Sequence, residues 1–181
     1  MVCEYDTRQL REFMILLADA ESYLRNGRIS EAIHKYLEVK EKCFSNNKDL
    51  INAIYFNQKC ITLAKNHNMI NLLIKSLISI GSCFDGTNNY NDLILSVNFK
   101  EEAKKLFKQL NQLDKDQSTE SEIYTALMSV YKELASQQES QNNFSKAIEY
   151  LTKQLEVKLI IKIEYSEFRR IIETRGTIRK R

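Results

Sequence analysis

A chain of 181 residues without a single proline is restricted in what it can fold into. Average usage would place about nine prolines in this length. Glycine is scarce as well, with 4 residues, so most of the punctuation that sheets and long loops need is missing. Long helices joined by short polar turns are the economical solution, and the spacing of apolar residues agrees. Leu10, Phe13, Leu17, Ala20 and Leu24 recur at helical steps. So do Leu73, Leu77, Ile80 and Phe84, and again Ala147, Ile148, Leu151, Leu155 and Leu159. The expectation is an all-α protein with helices over 7–26, 30–44, 49–66, 69–85, 92–113, 120–141 and 145–165.

The best-defined unit is Leu16 to Val39: a helix, a turn at Asn26-Gly27, and a helix folded back. Small Ala20 and Ala32 mark the closest approach of the two helices, and Gly27 supplies the positive φ that ends the first. A hairpin of this kind cannot bury its apolar face alone and asks for stacked copies. Leu134-Ala135, Asn142-Asn143, Phe144, Ala147 and Leu151 repeat its spacing near the end. Gly81, Phe84 and Tyr90 repeat its first half. If Ala53 fills the slot of Ala32, half a repeat is missing between the second and third helices, so that junction is expected to be remodelled or poorly packed.

The formal charge of +3 is uneven. Residues 169–181 carry Arg169, Arg170, Arg175, Arg179, Lys180 and Arg181 against Glu173, a net +5 that leaves −2 for the rest. The organisation expected is a helical-repeat domain over 1–168 and a basic C-terminal tail over 169–181. The near-neutral body offers no electrostatic footprint for nucleic acid; the tail alone could bind it. The charged N-terminus lacks the apolar core of a secretory signal, and no apolar run approaches a membrane span. Cys3, Cys43, Cys60 and Cys83 show no metal-ligand spacing, and a reduced compartment fits them best. His34 and His67 read as surface residues. No glycine-rich phosphate loop, nucleophile–base arrangement or ligand cluster is present, so neither an enzyme nor a cofactor is expected.

The hairpin pattern resembles the tetratricopeptide repeat, in which small residues let paired helices close up and large ones plug the gaps. That resemblance implies a short right-handed α-solenoid, irregular in the middle. Three segments, LRNGRISEAIHKYLEV, INAIYFNQKCITLAKNHNMINLLIKSLISIG and NNFSKAIEYLTKQLEV, are similar to the N-terminal repeats of Tonsoku-like proteins and stand in that family's order. The resemblance implies a non-enzymatic scaffold of replication-associated DNA repair, located in the nucleus. The family's ankyrin and leucine-rich repeats have no counterpart here, as a shortened form would show. Histone reading by those modules is therefore not carried over. The alternatives are a cytoplasmic or ciliary adaptor built from the same repeats, and a nucleic-acid binder acting through the basic tail.

In such arrays the concave face of the first helices holds a partner peptide or helix. The equivalent positions here are Met14, Leu17, Glu21 and Leu24, then Lys75, Ile78, Ser82 and Asp85, and finally Ser129, Lys132, Ser136 and Glu139. Their mixed character suits an amphipathic helix or extended peptide better than an acidic chain end; some of them could equally serve packing between repeats. The tail reading has a direct check. If the tail binds DNA, deleting residues 169–181 abolishes a salt-sensitive shift of a DNA probe; an intact chain that binds nothing at low salt dismisses that reading.

Overall fold

The structure is a computed structural model that describes residues 7–178 apart from 48, 86, 88, 112 and 113, and excludes the side chains of residues 7, 9, 44–47 and 164–178. The described residues form seven helices and no strand. They are α1 (Thr7–Arg25), α2 (Ile29–Asn47), α3 (Leu50–Asn66), α4 (Ile70–Asp85), α5 (Tyr90–Gln109), α6 (Gln117–Ser140) and α7 (Phe144–Ile178). The chain divides into two compact units, residues 1–115 and 116–181. All seven expected helices are present, with shifted ends. The polar Ser45–Asn47 stretch stays helical at the end of α2, and α7 runs well past Tyr165. Asp116 caps α6 by accepting from the N–H groups of Ser118 and Thr119. Residues 179–181 of the basic tail lie outside the described residues, as do Cys3, Gly86 and Asn88.

Three hairpins close on the same turn. Gly27, Asn68 and Asn142 adopt φ of 71°, 53° and 57°, the left-handed conformation that only glycine and asparagine enter readily. The next residue sends its N–H back over the turn: Arg28 to Tyr23 O (2.9 Å), Met69 to Ala64 O (2.9 Å), Asn143 to Gln138 O (2.8 Å). Its own carbonyl then starts the second helix by accepting from Ala32 (3.0 Å), Leu73 (2.9 Å) and Ala147 (3.1 Å). The pairs α1/α2, α3/α4 and α6/α7 are thus copies of one device.

This corrects the expected phasing. No half-repeat is missing between α2 and α3. Tyr36 of α2 stacks on Phe56 of α3 at 6.0 Å, the Cys60 thiol donates to Ile33 O at 3.7 Å, and α3 packs directly on α2. The helix outside these three hairpins is α5, which packs on α4 without the shared turn. Ala53 misled because it is small like Ala32, yet it belongs to a first helix; the left-handed residue, not the small one, marks the repeat.

In unit 1 each helix packs on its predecessor, and alternate helices also meet. Phe13 of α1 touches Phe56 of α3 edge-on at 6.1 Å, and Lys65 of α3 approaches Glu102 of α5 at 3.7 Å. Around Ala20 and Ala32 the buried Ile33, Tyr36 and Val39 fill the α1/α2 seam. Each such large side chain contributes about 1.5–3 kcal/mol through burial.

The α4/α5 seam is held differently. Lys100 is fully buried, and its ammonium donates to both carboxylate oxygens of Asp85 at 2.8 and 2.6 Å. Ser96 donates to the same carboxylate at 2.6 Å. The Lys100 stem lies over Gly81, where an added Cβ would meet Lys100 Cγ at 3.1 Å and the Ser96 carbonyl oxygen at 3.2 Å. Gly81→Ala should therefore cost about 1–3 kcal/mol, because the Ser96 oxygen is backbone and cannot step aside. Urea unfolding followed by circular dichroism checks this; an unchanged midpoint would show that the seam yields.

Candidate protein-interaction surface

On unit 1 an aromatic cluster reaches from the core to the surface. Phe56 is its centre: it stacks on buried Tyr36, meets Phe13 edge-on, and meets its neighbour Tyr55 edge-on at 5.2 Å. Tyr55 points outward and is 55% exposed. The step from Phe56 to Tyr55 turns about 100° around α3, so one ring goes under α1 while the next faces solvent. Ile51 lies one turn before Tyr55 on the same face and is the most exposed large apolar side chain described, at 82%. On α1, Met14 follows Phe13 and is 61% exposed, with Leu10 a turn away. Leu10, Met14, Ile51 and Tyr55 therefore offer apolar surface on the two helices that the Phe13–Phe56 contact joins.

A polar clamp holds this surface. Glu21 Oε1 accepts from the Tyr36 hydroxyl and from Lys59 Nζ, both at 2.6 Å. Lys59 Nζ also sits 4.4 Å from the Tyr36 ring centroid. One carboxylate thus joins α1, α2 and α3. The hydrogen bond from Lys59, with that from Tyr36 behind it, lowers the Glu21 pKa. Burial, with the bond to Glu21 behind it, raises that of Tyr36. Burial opposes the charge on Lys59, but its bonds to Glu21 and Tyr36 prevail and raise its pKa.

A concavity of about 470 Å³ opens between α1 and α2 over Ile15 and Leu16 and is edged by Glu12, Glu38, Glu41 and Lys42. Its charges are already matched: Lys42 bridges Glu12 at 3.2 Å, and Lys35 bridges Glu38 at 2.8 Å. It lacks the outward aromatic group of the first surface.

The residues expected to line a concave face are distributed unequally. Met14 is exposed, Leu17 and Leu24 are half-buried, and Glu21 is half-buried in its clamp. Lys75, Ile78, Ser82 and Asp85 sit on α4, the second helix of its hairpin. Only Lys75 is exposed there; Ile78 is buried, Ser82 donates to Ile78 O at 3.1 Å, and Asp85 holds Lys100. Ser129, Lys132, Ser136 and Glu139 are all exposed on α6, the first helix of its hairpin. Ile51 and Tyr55 were missed from sequence. Their signal was an apolar pair four residues apart, set off the Ala53–Phe56–Cys60 stripe.

The chemistry elsewhere is quiet. Burial pushes the Cys60 thiol up to about 12 and raises that of Cys83, so both stay protonated. His34 Nδ1 lies 2.7 Å from the Ser30 carbonyl, and His67 caps the end of α3. Among the described residues no group of three or more His, Cys, Asp or Glu could hold a metal ion, and no helix is long and apolar enough to cross a membrane. No protein-family model, no curated protein and no solved structure matches the chain.

Because the folded Glu21 pKa lies below its ordinary value of 4.5, its stabilisation is present above that value and is lost as pH falls through the lower, folded one. Its side chain is 40% exposed, which limits the effect to about 1 kcal/mol. Glu21→Gln should lower stability at about pH 7 and have little effect at about pH 3, measured by urea unfolding at both. An equal loss at the two pH values would mean that the charge is not what matters.

Proposed function

We propose that this chain is a non-enzymatic protein-interaction module, a short solenoid of tetratricopeptide-like hairpins that holds a partner helix or extended peptide against α1 and α3. The observation that carries this reading is the exposed apolar set of Met14, Ile51 and Tyr55 around a rigid aromatic cluster. An exposed Tyr beside Met and Ile, backed by packed rings, gives a partner's apolar side chain a firm seat. Within unit 1 the solenoid is supported by the shared turn of its two hairpins and by the contacts between alternate helices α1, α3 and α5. Of the positions expected to face a partner on α1, Met14 is open to it, while Glu21 is engaged in its clamp.

The scaffold role in replication-associated DNA repair, with its nuclear location, rests on the three segments similar to Tonsoku-like repeats. Affinity purification of the intact chain tests it: replication or histone factors are the expected co-purifying proteins. A set made up only of cytoskeletal or motor proteins would replace that role with the adaptor. The surface itself is tested separately. Met14→Glu with Tyr55→Ala should weaken the recovered partner by about tenfold or more while helix content and unfolding midpoint hold. Unchanged binding would remove α1 and α3 as the binding face.

A further inference from the structure

The last hairpin carries a second apolar surface, independent of the first. Among the described side chains of α7, Ala147, Tyr150 and Val157 are the buried apolar ones, and Gln154 on the same side donates to Met128 O of α6 at 3.4 Å. That is the side α6 covers. A separate side presents Phe144 (60% exposed), Ile148 (63%), Leu151 (41%), Leu155 (56%), Leu159 (50%) and Ile163 (56%). A helix apolar on two sides is normally covered on both, and α6 covers one.

We propose that a second copy of this chain covers the other, with α7 paired antiparallel to α7 about a two-fold axis near residues 153–154. The spacing of the stripe points to this occupant. Its steps are four, three, four, four and four residues, almost the same read from either end. Antiparallel pairing therefore sets Phe144 against the partner's Ile163, Ile148 against its Leu159, and Leu151 against its Leu155. A closed two-fold contact needs this self-matching; a foreign partner would not. The steps average about 3.8 residues against about 3.6 per helical turn, so the stripe drifts around α7 and the two helices must cross with a right-handed twist to follow it. Six half-exposed side chains supply on the order of 500 Å² per copy, or about 1,000 Å² for the pair, which is the lower bound of a specific interface. Such a contact gives a reversible dimer with a dissociation constant on the order of 1–100 µM.

Sedimentation velocity of the full chain from about 1 to 200 µM should show a monomer–dimer equilibrium. Ile148→Glu with Leu155→Glu should shift it to monomer at least tenfold while helix content is kept, since both sites are exposed. In oxidising mixtures, with Cys3→Ser as background, Phe144→Cys should cross-link to Ile163→Cys and not to itself. A monomer throughout the range, a dimer untouched by the two glutamates, or cross-linking of Phe144→Cys to itself would each overturn the proposal. Loss of dimerisation with partner binding at Met14 and Tyr55 intact would separate this surface from the first.

Discussion

One residue with positive φ at the end of each first helix turns the chain back on itself three times. The strain of that conformation is what selects Gly27, Asn68 and Asn142. The N–H and carbonyl groups freed by the reversal are reused at once: the residue after the turn closes the first helix and starts the second. With two hydrogen bonds fixed around one residue, the second helix folds back along the first, and their apolar stripes face each other. Everything larger, from the Ala20/Ala32 seam to the pairing of α6 with α7, follows from that reversal.

Two polar groups, one buried and one at the surface, then fix particular seams that apolar packing leaves free to slide. Burial lowers the Lys100 pKa although Asp85 supports its charge, so desolvation is the stronger effect and the pair contributes position more than stability. Gly81 is the concession that lets the lysine stem cross. The Glu21 clamp works at the surface, with smaller energies, and ties three helices through one oxygen atom. Because Tyr36 both makes this bond and stacks on Phe56, the clamp and the aromatic cluster hold each other in register.

The candidate surface is a consequence of that register. Its apolar side chains are exposed because the helices they ride on are fixed by neighbours facing inward: Phe13 beside Met14, and Phe56 beside Tyr55. A rigid backing keeps such side chains from collapsing onto the protein, so their area stays open to a partner. Unit 2 repeats the principle on a longer helix, where Tyr150 and Val157 face inward and Leu151 and Leu155 face out.

From sequence alone, the missing prolines, the apolar periodicity and the Asn/Gly turns determine the helical character, the seven helices and the reversals at Gly27 and Asn142, because these depend on local backbone energetics. The tight α1/α2 seam could be read from Ala20 and Ala32 for the same reason. Tertiary structure decided which helix falls outside the three hairpins: Ala53 and Ala32 look alike in sequence, and only packing assigns them to different halves of a hairpin. It also decided what lies outside. Leu151 and Val157 are equally apolar, and which faces α6 depends on a helix rotation fixed by contacts far along the chain. Lys100 reads as a surface lysine until α4 encloses it, since burial of a charge depends on its finding Asp85, fifteen residues away.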